Sequence, residues 1–162
     1  KIDKNRGMKQ PAQAVVVRRR RRLYAQLLYG SVAEQAHHAG VGVDLNFGCP
    51  QAIARKGRYG AFLLEEPDVP VQLVETLARE LSVPVTAKVR LLPSGIDDSI
   101  ELCLRMQDAG AAALCVHGRT RAMNKQNAGE ADWEAVRRMV EALDIPVIAT
   151  LALALALALA LA

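Results

Sequence analysis

Short apolar stretches recur along the chain, separated by longer segments in which apolar residues are spaced three or four apart. The apolar stretches begin near residues 43, 84, 112 and 145, and a further one covers Leu23–Leu28. Short apolar or alternating runs are typical of β-strands, whereas spacing of three and four is typical of amphipathic helices. The pattern therefore predicts strands alternating with helices, as in β/α units that build a parallel sheet.

Three of the intervening segments carry helix signals. The first opens with acids at Glu65–Asp68, the second is predicted to be capped by Asp97 or Asp98 and to end at Gly110, and the third to be capped by Asp132. These helices complete the predicted β/α order. The residues predicted to face the core are Val71, Val74, Leu77, Ala78 and Leu81 in the first helix, Ile100, Cys103, Leu104 and Gln107 in the second, and Trp133, Val136, Val140 and Leu143 in the third.

The length of the chain limits how much of a β/α fold it can form. With 162 residues, it is long enough for one ordinary domain and too short for a complete eight-unit barrel. We therefore predict a partial α/β barrel of the TIM type over residues 23–149, with about five parallel strands, intervening helices and no closure. The open sheet edges of such a fold are expected to favour self-association.

The two ends of the chain differ in composition from this region. Residues 1–22 are polar and basic and are expected to be disordered. Their arginine run, Arg18–Arg22, can be interpreted as a contact for a polyanion such as RNA, although a solvated basic tail is the favoured interpretation. Residues 150–162 contain the Leu-Ala repeat Leu151–Ala162, which is interpreted as a low-complexity artefact or a replaced terminus. The repeat is too short to span a bilayer, and no membrane association is expected.

Composition narrows the functional classes. Aromatic residues make up 4% of the chain, which argues against an aromatic platform for stacking single-stranded RNA. The cysteines Cys49, Cys103 and Cys115 lack the spacing of metal ligands, and the adjacent His37 and His38 do not share a helix face, so no metal site is predicted. An odd number of cysteines suits a reducing cytosol, and we expect a cytoplasmic protein.

The most distinctive stretch is Val43–Gln51, in which a short alternating strand runs into Gly48, Cys49 and Pro50. Pro50 biases the backbone of Cys49 towards extended geometry and so restrains the thiol. A restrained cysteine at the carboxyl end of a strand suits catalysis in an α/β protein, and a buried structural cysteine in a tight turn is the alternative. Cys103 lies on a helix stripe and is predicted to be structural.

Two further predicted strands also end in polar residues. Lys88 and Arg90 are two apart and therefore point to the same side of their strand. Because a buried lysine is costly unless it is paired, this pair favours an anionic ligand over a core salt bridge. His117 and Arg119 follow the next strand, which is predicted to end at Val116. The carboxyl ends of parallel strands meet at one end of a barrel, so these groups are expected to cluster with the cysteine turn.

A basic segment lies between the cysteine turn and the first long helix. Arg55–Leu64 contains three basic residues, two glycines and a tyrosine before an apolar run. One interpretation is a loop that meets a phosphate-bearing ligand, because basic side chains attract phosphate. The other is a basic surface loop that leads into a short helix.

Four ordered motifs resemble one enzyme family. They are Asp44–Gln51, Gly57-x-Tyr59-Gly60-Ala61, Val85–Arg90 and Val116–Thr120. In this order they closely resemble the tRNA-dihydrouridine synthases, and the Cys-Pro-Gln variant resembles the branch that acts on uridines 16 and 17 of the tRNA D loop. The resemblance runs from Leu23 to Ala149 and implies a flavin barrel followed by a helical tRNA-binding domain.

The resemblance also implies roles for individual residues. In the family, NADPH reduces FMN, hydride passes from the flavin to C6 of a uracil, and a cysteine thiol delivers a proton to C5; Cys49 matches that cysteine. An ordinary thiol is mostly protonated at neutral pH, so it can act as an acid. The other residues that match are Gln26, Lys88 and His117 as FMN contacts, and Asn46, Arg90 and Arg119 on the substrate side.

Departures from the family pattern lower the activity expected of this chain. The first strand and the helical tRNA-binding domain are expected to be absent, and the Leu-Ala repeat replaces the strands that cradle the FMN phosphate. We therefore expect weak FMN binding or none. One interpretation of the chain is an incomplete flavin enzyme that acts on tRNA. A second is a non-catalytic fragment with at most nonspecific RNA binding. Another FMN-barrel oxidoreductase, of the dihydroorotate type, is a third interpretation.

Overall fold

The computed structural model describes residues 42–124 and 129–150. Over these residues the chain alternates strands with helices, as predicted. The predicted strand Leu23–Leu28, the basic segment 1–22, the histidines His37 and His38, and the Leu-Ala repeat lie outside the described residues. In chain order the elements are β1 (Val43–Asn46), α1 (Ala52–Gly57), a 3₁₀ helix (Gly60–Glu65), α2 (Asp68–Glu80), β2 (Val85–Leu91), α3 (Ile96–Asp108), β3 (Ala113–Thr120), α4 (Trp133–Ala142) and β4 (Val147–Thr150).

The described strands form one parallel sheet in the order β1-β2-β3-β4. Asn46 on β1 is the register partner of Lys88 on β2, and Lys88 is the partner of Cys115 on β3. Two residues further along, Arg90 lies opposite His117. The sheet does not close on itself, and β1 and β4 are its outer strands over the described residues. The α/β class and the unclosed parallel arrangement are therefore confirmed.

The hydrophobic core lies between one face of this sheet and the helices α2, α3 and α4. Alternate strand residues point into it because successive side chains of a strand face opposite sides. Removing their apolar surface from water is the main favourable contribution to folding. The strand residues that face the core are Val43, Leu45, Val85, Ala87, Val89, Leu91, Leu114 and Val116, and the helix residues include Val74, Leu102, Cys103, Met106, Ala135, Val136 and Met139.

The inward face of α4 differs from the prediction. Trp133 and Val140 were expected to be buried, but they are 49% and 51% exposed, whereas Ala135 and Met139 are buried. The helix is therefore rotated about its axis relative to the predicted orientation. Its start is tied to β3, because the backbone N–H of Asp132 donates to the carbonyl of Gly118 at 2.6 Å. The prediction that Asp132 caps the helix is confirmed, since its carboxylate accepts from the Ala135 N–H at 2.8 Å.

The ends of α3 are set partly as predicted. Asp97 and Asp98 lie in the first turn, where they suit the helix dipole, but the N-cap is Gly95, so the predicted aspartate cap is wrong. Gly110, with φ of +99°, follows the C-cap residue Ala109 and confirms the predicted end of the helix. Cys103 is 1% exposed in the core. Burial raises the pKa of its thiol to about 12, so its structural role is confirmed.

The inward stripe predicted for α3 is only partly correct. Cys103 is buried, but Ile100 and Leu104 are only partly buried against the core. The Gln107 amide lies in the last turn of α3, where its oxygen accepts from the Asp144 N–H at 2.8 Å. A polar side chain with a backbone partner satisfies its hydrogen-bonding groups there without entering the apolar core.

The third strand is longer than predicted. β3 was expected to end at Val116, but it continues to Thr120 and keeps its pairing with β2 at His117 and Thr120. The apolar run ends at Val116, but pairing of Arg90 with His117 and of Leu91 with Thr120 continues the strand through polar residues. Polar residues are tolerated within this strand because they lie on the face that the helices do not cover.

Candidate active site at the carboxyl ends of the strands

The sheet face opposite the helices, which we call the polar face, gathers polar side chains from three adjacent strands. Alternation along each strand places these residues on one side, and all of them except the exposed Asp44 are half-buried. At the amino end of the face, the Thr86 hydroxyl donates to the Asp44 carboxylate at 2.9 Å. The residues of the polar face are Asp44, Asn46, Thr86, Lys88, Arg90, Cys115, His117 and Arg119.

The cysteine turn begins where β1 ends. The side-chain oxygen of Asn46 accepts a hydrogen bond from the Gly48 N–H at 2.9 Å, which forms a local turn of the type that asparagine favours. The N–H of Phe47, a residue only 3% exposed, donates to the Lys88 carbonyl at 2.8 Å. Cys49 follows and is half-buried, with a free thiol. The turn is therefore anchored to β2 immediately before the cysteine.

The start of the 3₁₀ helix closes over the cysteine from the other side. The Ala61 N–H donates to the Cys49 carbonyl at 3.0 Å. Gly60 has φ of +62°, and a Cβ at this position would lie 2.8 Å from the Cys49 carbonyl oxygen and 2.9 Å from its Cβ. Glycine adopts this left-handed backbone without strain, and its lack of a Cβ permits so close an approach. The sequence motif Gly57–Ala61 therefore packs against the motif Asp44–Gln51, which contains the cysteine.

Lys88 lies beside the same turn. A Cβ placed on Gly48 would lie 3.5 Å from Cε and 3.6 Å from Cδ of Lys88, so the lysine stem runs along the turn. Its charge also acts on Cys115 and His117, the neighbouring groups on β3. Burial raises the pKa of the Cys115 thiol, while a hydrogen bond with Thr150 and the charge of Lys88 oppose the increase.

Arg90 reaches from β2 to both neighbouring strand ends. Its Nε donates to the Gly48 carbonyl at 2.7 Å, and its Nη1 donates to the Thr120 carbonyl at 3.2 Å. Burial, together with the charge of Arg119, lowers the pKa of the guanidinium, and Cys49 acts in the opposite direction. Arginine still keeps its proton, because its pKa starts above 12. The cysteine turn and the cationic residues therefore lie on one side of the sheet.

His117 is a neutral imidazole in a cationic environment. Burial, followed by the charges of Arg90, Arg119 and Lys88, lowers its pKa to about 4. Its Nε2 atom and the Nε atom of Arg119 are both buried without a hydrogen-bond partner among the described residues. Buried polar atoms are rarely left unsatisfied, so such atoms on the polar face indicate where a bound molecule would supply the missing partners.

The exposed border of the site is basic. Arg55 and Lys56 are exposed in the last turn of α1, so the loop predicted for them is wrong. Arg58 follows and forms an ion pair with Glu66 at 2.6 Å. The β3–α4 segment reaches over from the other side, where the guanidinium carbon of Arg121 lies 4.3 Å from the centre of the Phe62 ring. This cation–π contact joins the 3₁₀ helix to the segment that follows β3.

The structure brings together most of the residues that the sequence identified. Gln26 lies outside the described residues. The sequence predicts Cys115 within a buried strand, and the structure places it half-buried on the polar face next to Lys88. Its position two residues before His117 is the signal that could have found it, because residues two apart share a face. Thr150 on β4 joins the same face opposite His117.

No group of three or more histidine, cysteine, aspartate or glutamate residues in residues 42–124 and 129–150 is arranged to hold a metal ion. Over the same ranges, none of the helices has both the length and the apolar character needed to cross a membrane.

A thiol and cationic side chains at the carboxyl ends of parallel strands are typical of β/α enzymes, and comparison with known proteins gives the family. Residues 24–150 match the protein-family profile described as "Dihydrouridine synthase (Dus)". The chain therefore belongs to the dihydrouridine synthase family, and the resemblance seen in the sequence motifs is confirmed.

Curated relatives agree with this assignment. The chain is 45% identical over 107 residues to tRNA-dihydrouridine(16/17) synthase (NAD(P)(+))-like of Rattus norvegicus, covering 66% of this chain and 24% of the relative. It is 46% identical over 101 residues to tRNA-dihydrouridine(16/17) synthase (NAD(P)(+)) of Saccharomyces cerevisiae, covering 62% of this chain and 24% of the relative. It is 38% identical over 109 residues to tRNA-dihydrouridine(16) synthase of Neisseria meningitidis, covering 66% of this chain and 32% of the relative. The chain thus spans a quarter to a third of the length of these relatives.

Proposed function

We propose that this chain carries the cysteine half of the active site of a tRNA-dihydrouridine synthase. The proposed reaction reduces a uridine of the D loop to 5,6-dihydrouridine, with a nicotinamide dinucleotide, NADPH, as the reductant and the cytoplasm as the location. The single observation that supports it best is that the Cys49 turn, Lys88 and His117 lie on one face of the sheet. The names of the relatives support the substrate and the NAD(P) dependence.

The polar face fits the cofactor that the family implies, which is FMN. The unpartnered Nε2 of His117 and Nε of Arg119, beside the cationic Lys88, are the partners that an anionic, hydrogen-bonding ring system requires. When bound, reduced FMN would supply the hydride that adds to C6 of the uracil. Lys88 and His117 would hold it, and Gln26 is proposed as a third contact. Lys88 would offer positive charge to the edge of the flavin that becomes anionic.

Cys49 is proposed as the acid. Its thiol S–H bond breaks as a new C–H bond forms at C5 of the uracil, while C6 receives hydride, so the C5–C6 double bond becomes a single bond. The remaining thiolate recovers a proton from solvent. A side chain in this role must be held in reach of the reacting carbon. The turn supports this, because hydrogen bonds fix the residues on both sides of Cys49.

The substrate side is proposed to use Asn46, Arg90 and Arg119. An amide can pair with the edge of a uracil because it offers both donors and an acceptor. The arginines add positive charge where the polyanionic RNA would approach. The target base must leave its stack to reach the thiol, which enzymes of this kind achieve by extruding the nucleotide.

The function is tested with the gene that encodes this chain at full length, in a strain that lacks dihydrouridine at positions 16 and 17. Cys49→Ala is expected to abolish dihydrouridine at those positions, measured by mass spectrometry of the tRNA. Cys103→Ala is the matched control, because it removes a thiol from the opposite side of the sheet. Unchanged dihydrouridine in the Cys49→Ala strain would contradict the proposal and favour the non-catalytic interpretation.

A further inference from the structure

One side chain joins two strand ends that the sheet itself does not join. Arg90 lies on β2, and its guanidinium donates through Nε to the Gly48 carbonyl at 2.7 Å and through Nη1 to the Thr120 carbonyl at 3.2 Å. Gly48 belongs to the turn after β1, and Thr120 is the last residue of β3. Both hydrogen bonds are charge-assisted, which makes them stronger than neutral ones.

The carbonyl groups on both sides of Cys49 are therefore held by different elements. Arg90 holds the carbonyl that precedes the cysteine, and the Ala61 N–H holds the carbonyl of the cysteine itself at 3.0 Å. The Asn46 side chain accepts from the Gly48 N–H at 2.9 Å. With both flanking peptides fixed, the remaining freedom of the thiol is rotation about the Cα–Cβ bond of Cys49.

We propose that Arg90 is a positioning residue for Cys49, which fixes the cysteine turn through its bond to the Gly48 carbonyl. This goes beyond the substrate-side role that the family resemblance implies, and its meaning for catalysis rests on the proposed function. Two of the donors of Arg90 are committed to backbone carbonyls, so they are not free to bind a base. The charge of the residue still contributes to the cationic face.

Lysine separates the geometric role of Arg90 from its charge. An ammonium group carries the same charge but lacks the planar fork that reaches two carbonyls at once. Arg90→Lys should therefore keep the positive potential and loosen the turn. Arg79→Lys is the matched control, because Arg79 is exposed on α2 and its side chain bonds to the neighbouring Glu80.

The experiment measures amide hydrogen exchange and thiol alkylation in the chain without tRNA or cofactor. The reporters of the turn are the N–H groups of Gly48 and Ala61, which donate to Asn46 and Cys49. In Arg90→Lys we expect their exchange to accelerate by about tenfold or more, the effect of losing one charge-assisted hydrogen bond. Arg79→Lys should leave it unchanged.

Alkylation then separates charge from geometry. The ratio of Cys49 alkylation rates with anionic iodoacetate and neutral iodoacetamide reports the local charge, and it should remain the same in Arg90→Lys within about twofold. Cys103, which is 1% exposed, should stay unreactive and so report an intact core.

Three results would overturn the proposal. Exchange in Arg90→Lys that matches Arg79→Lys would show that the bond to Gly48 does not hold the turn. A change in the alkylation ratio without faster exchange would show that Arg90 contributes only its charge to the polar face and does not fix the turn. Reactive Cys103 in Arg90→Lys would make Arg90 a determinant of the whole fold. None of these depends on dihydrouridine synthesis, so failure of the proposed function would be seen separately in the Cys49→Ala strain.

Discussion

Gly60 and Cys49 approach so closely that a methyl group on the glycine would lie 2.9 Å from the Cβ of the cysteine. The backbone of Gly60 is also in the left-handed region, with φ of +62°. The start of the 3₁₀ helix therefore depends on glycine for two separate reasons, a conformation and a contact, and both bear on where the thiol lies.

Gly60→Ala should both destabilise the protein and move Cys49. The left-handed backbone alone costs an alanine about 1 kcal/mol, and the collision with the Cys49 carbonyl forces a further shift. We expect the urea midpoint to fall and the rate of Cys49 alkylation by iodoacetamide to change several-fold. Gly95→Ala is the control, because Gly95 has φ of +138° but nothing within 4 Å of an added Cβ. Gly95→Ala should lower stability and leave Cys49 alkylation unchanged. Equal changes in alkylation in both variants would show that the contact between Gly60 and Cys49 does not set the position of the thiol.

Asn46 should have separable structural and substrate roles. Asn46→Ala removes the acceptor of the Gly48 N–H and should reduce the free energy of unfolding by about 1 kcal/mol. Asn46→Asp keeps an acceptor at the same place, so its stability should be nearly normal, while its charge and lost N–H donors should reduce dihydrouridine formation. Urea unfolding and tRNA analysis measure the two effects. Equal stability of both variants would show that the turn does not depend on this bond.

The neutral imidazole of His117 predicts a pH dependence of stability. Its pKa is lowered from 6.5 to about 4 in the folded protein, so the unfolded chain binds this proton more readily. The contribution of the neutral His117 imidazole to the free energy of unfolding is therefore fully present above about pH 6.5. It is lost as the pH falls towards about 4. Urea unfolding across that range should show a shallower loss of stability in His117→Asn than in the parent. The carboxylates titrate in both proteins, so an identical pH profile would contradict the shift.

The exposed basic residues of α1 should contact RNA. Arg55 is exposed beside the cysteine turn, and among the described residues no ion pair holds it. Arg55→Glu should weaken tRNA binding and reduce the slope of log affinity against log salt by about 1. Arg79→Glu makes the same charge change on α2, away from the site, and should alter the slope less. Equal slopes in the two variants would place the RNA elsewhere.

The outer strand β4 should promote self-association. Ile148 is 56% exposed on this strand, which has no partner on its outer side over residues 42–124 and 129–150. A strand edge of this kind with an apolar side chain favours contact with a second copy. Ile148→Lys should lower the apparent mass in sedimentation at high protein concentration. Ile53→Lys, at a residue 64% exposed on α1, is the control and should have no effect. Self-association that Ile148→Lys leaves intact would point to a different surface.

Local sequence patterns were enough to predict the β/α order and the end of the sheet where the polar chemistry lies. Strands follow from short apolar runs and helices from three- and four-residue spacing, and these depend only on neighbours along the chain. The alternation of side chains along a strand then places Lys88 and Arg90 on one side. The ordered motifs were specific enough to indicate the family that the comparisons confirmed.

The sequence by itself thus determined the order of the described strands and long helices, the family and the cluster of polar strand ends. Tertiary structure alone decided the rotation of α4, the extension of β3 to Thr120, the bridge from Arg90 to Gly48 and the contact of Gly60 with Cys49. Each of these joins residues far apart in the chain or is set by packing against another element. No local preference encodes them, because their energies arise only when the elements meet.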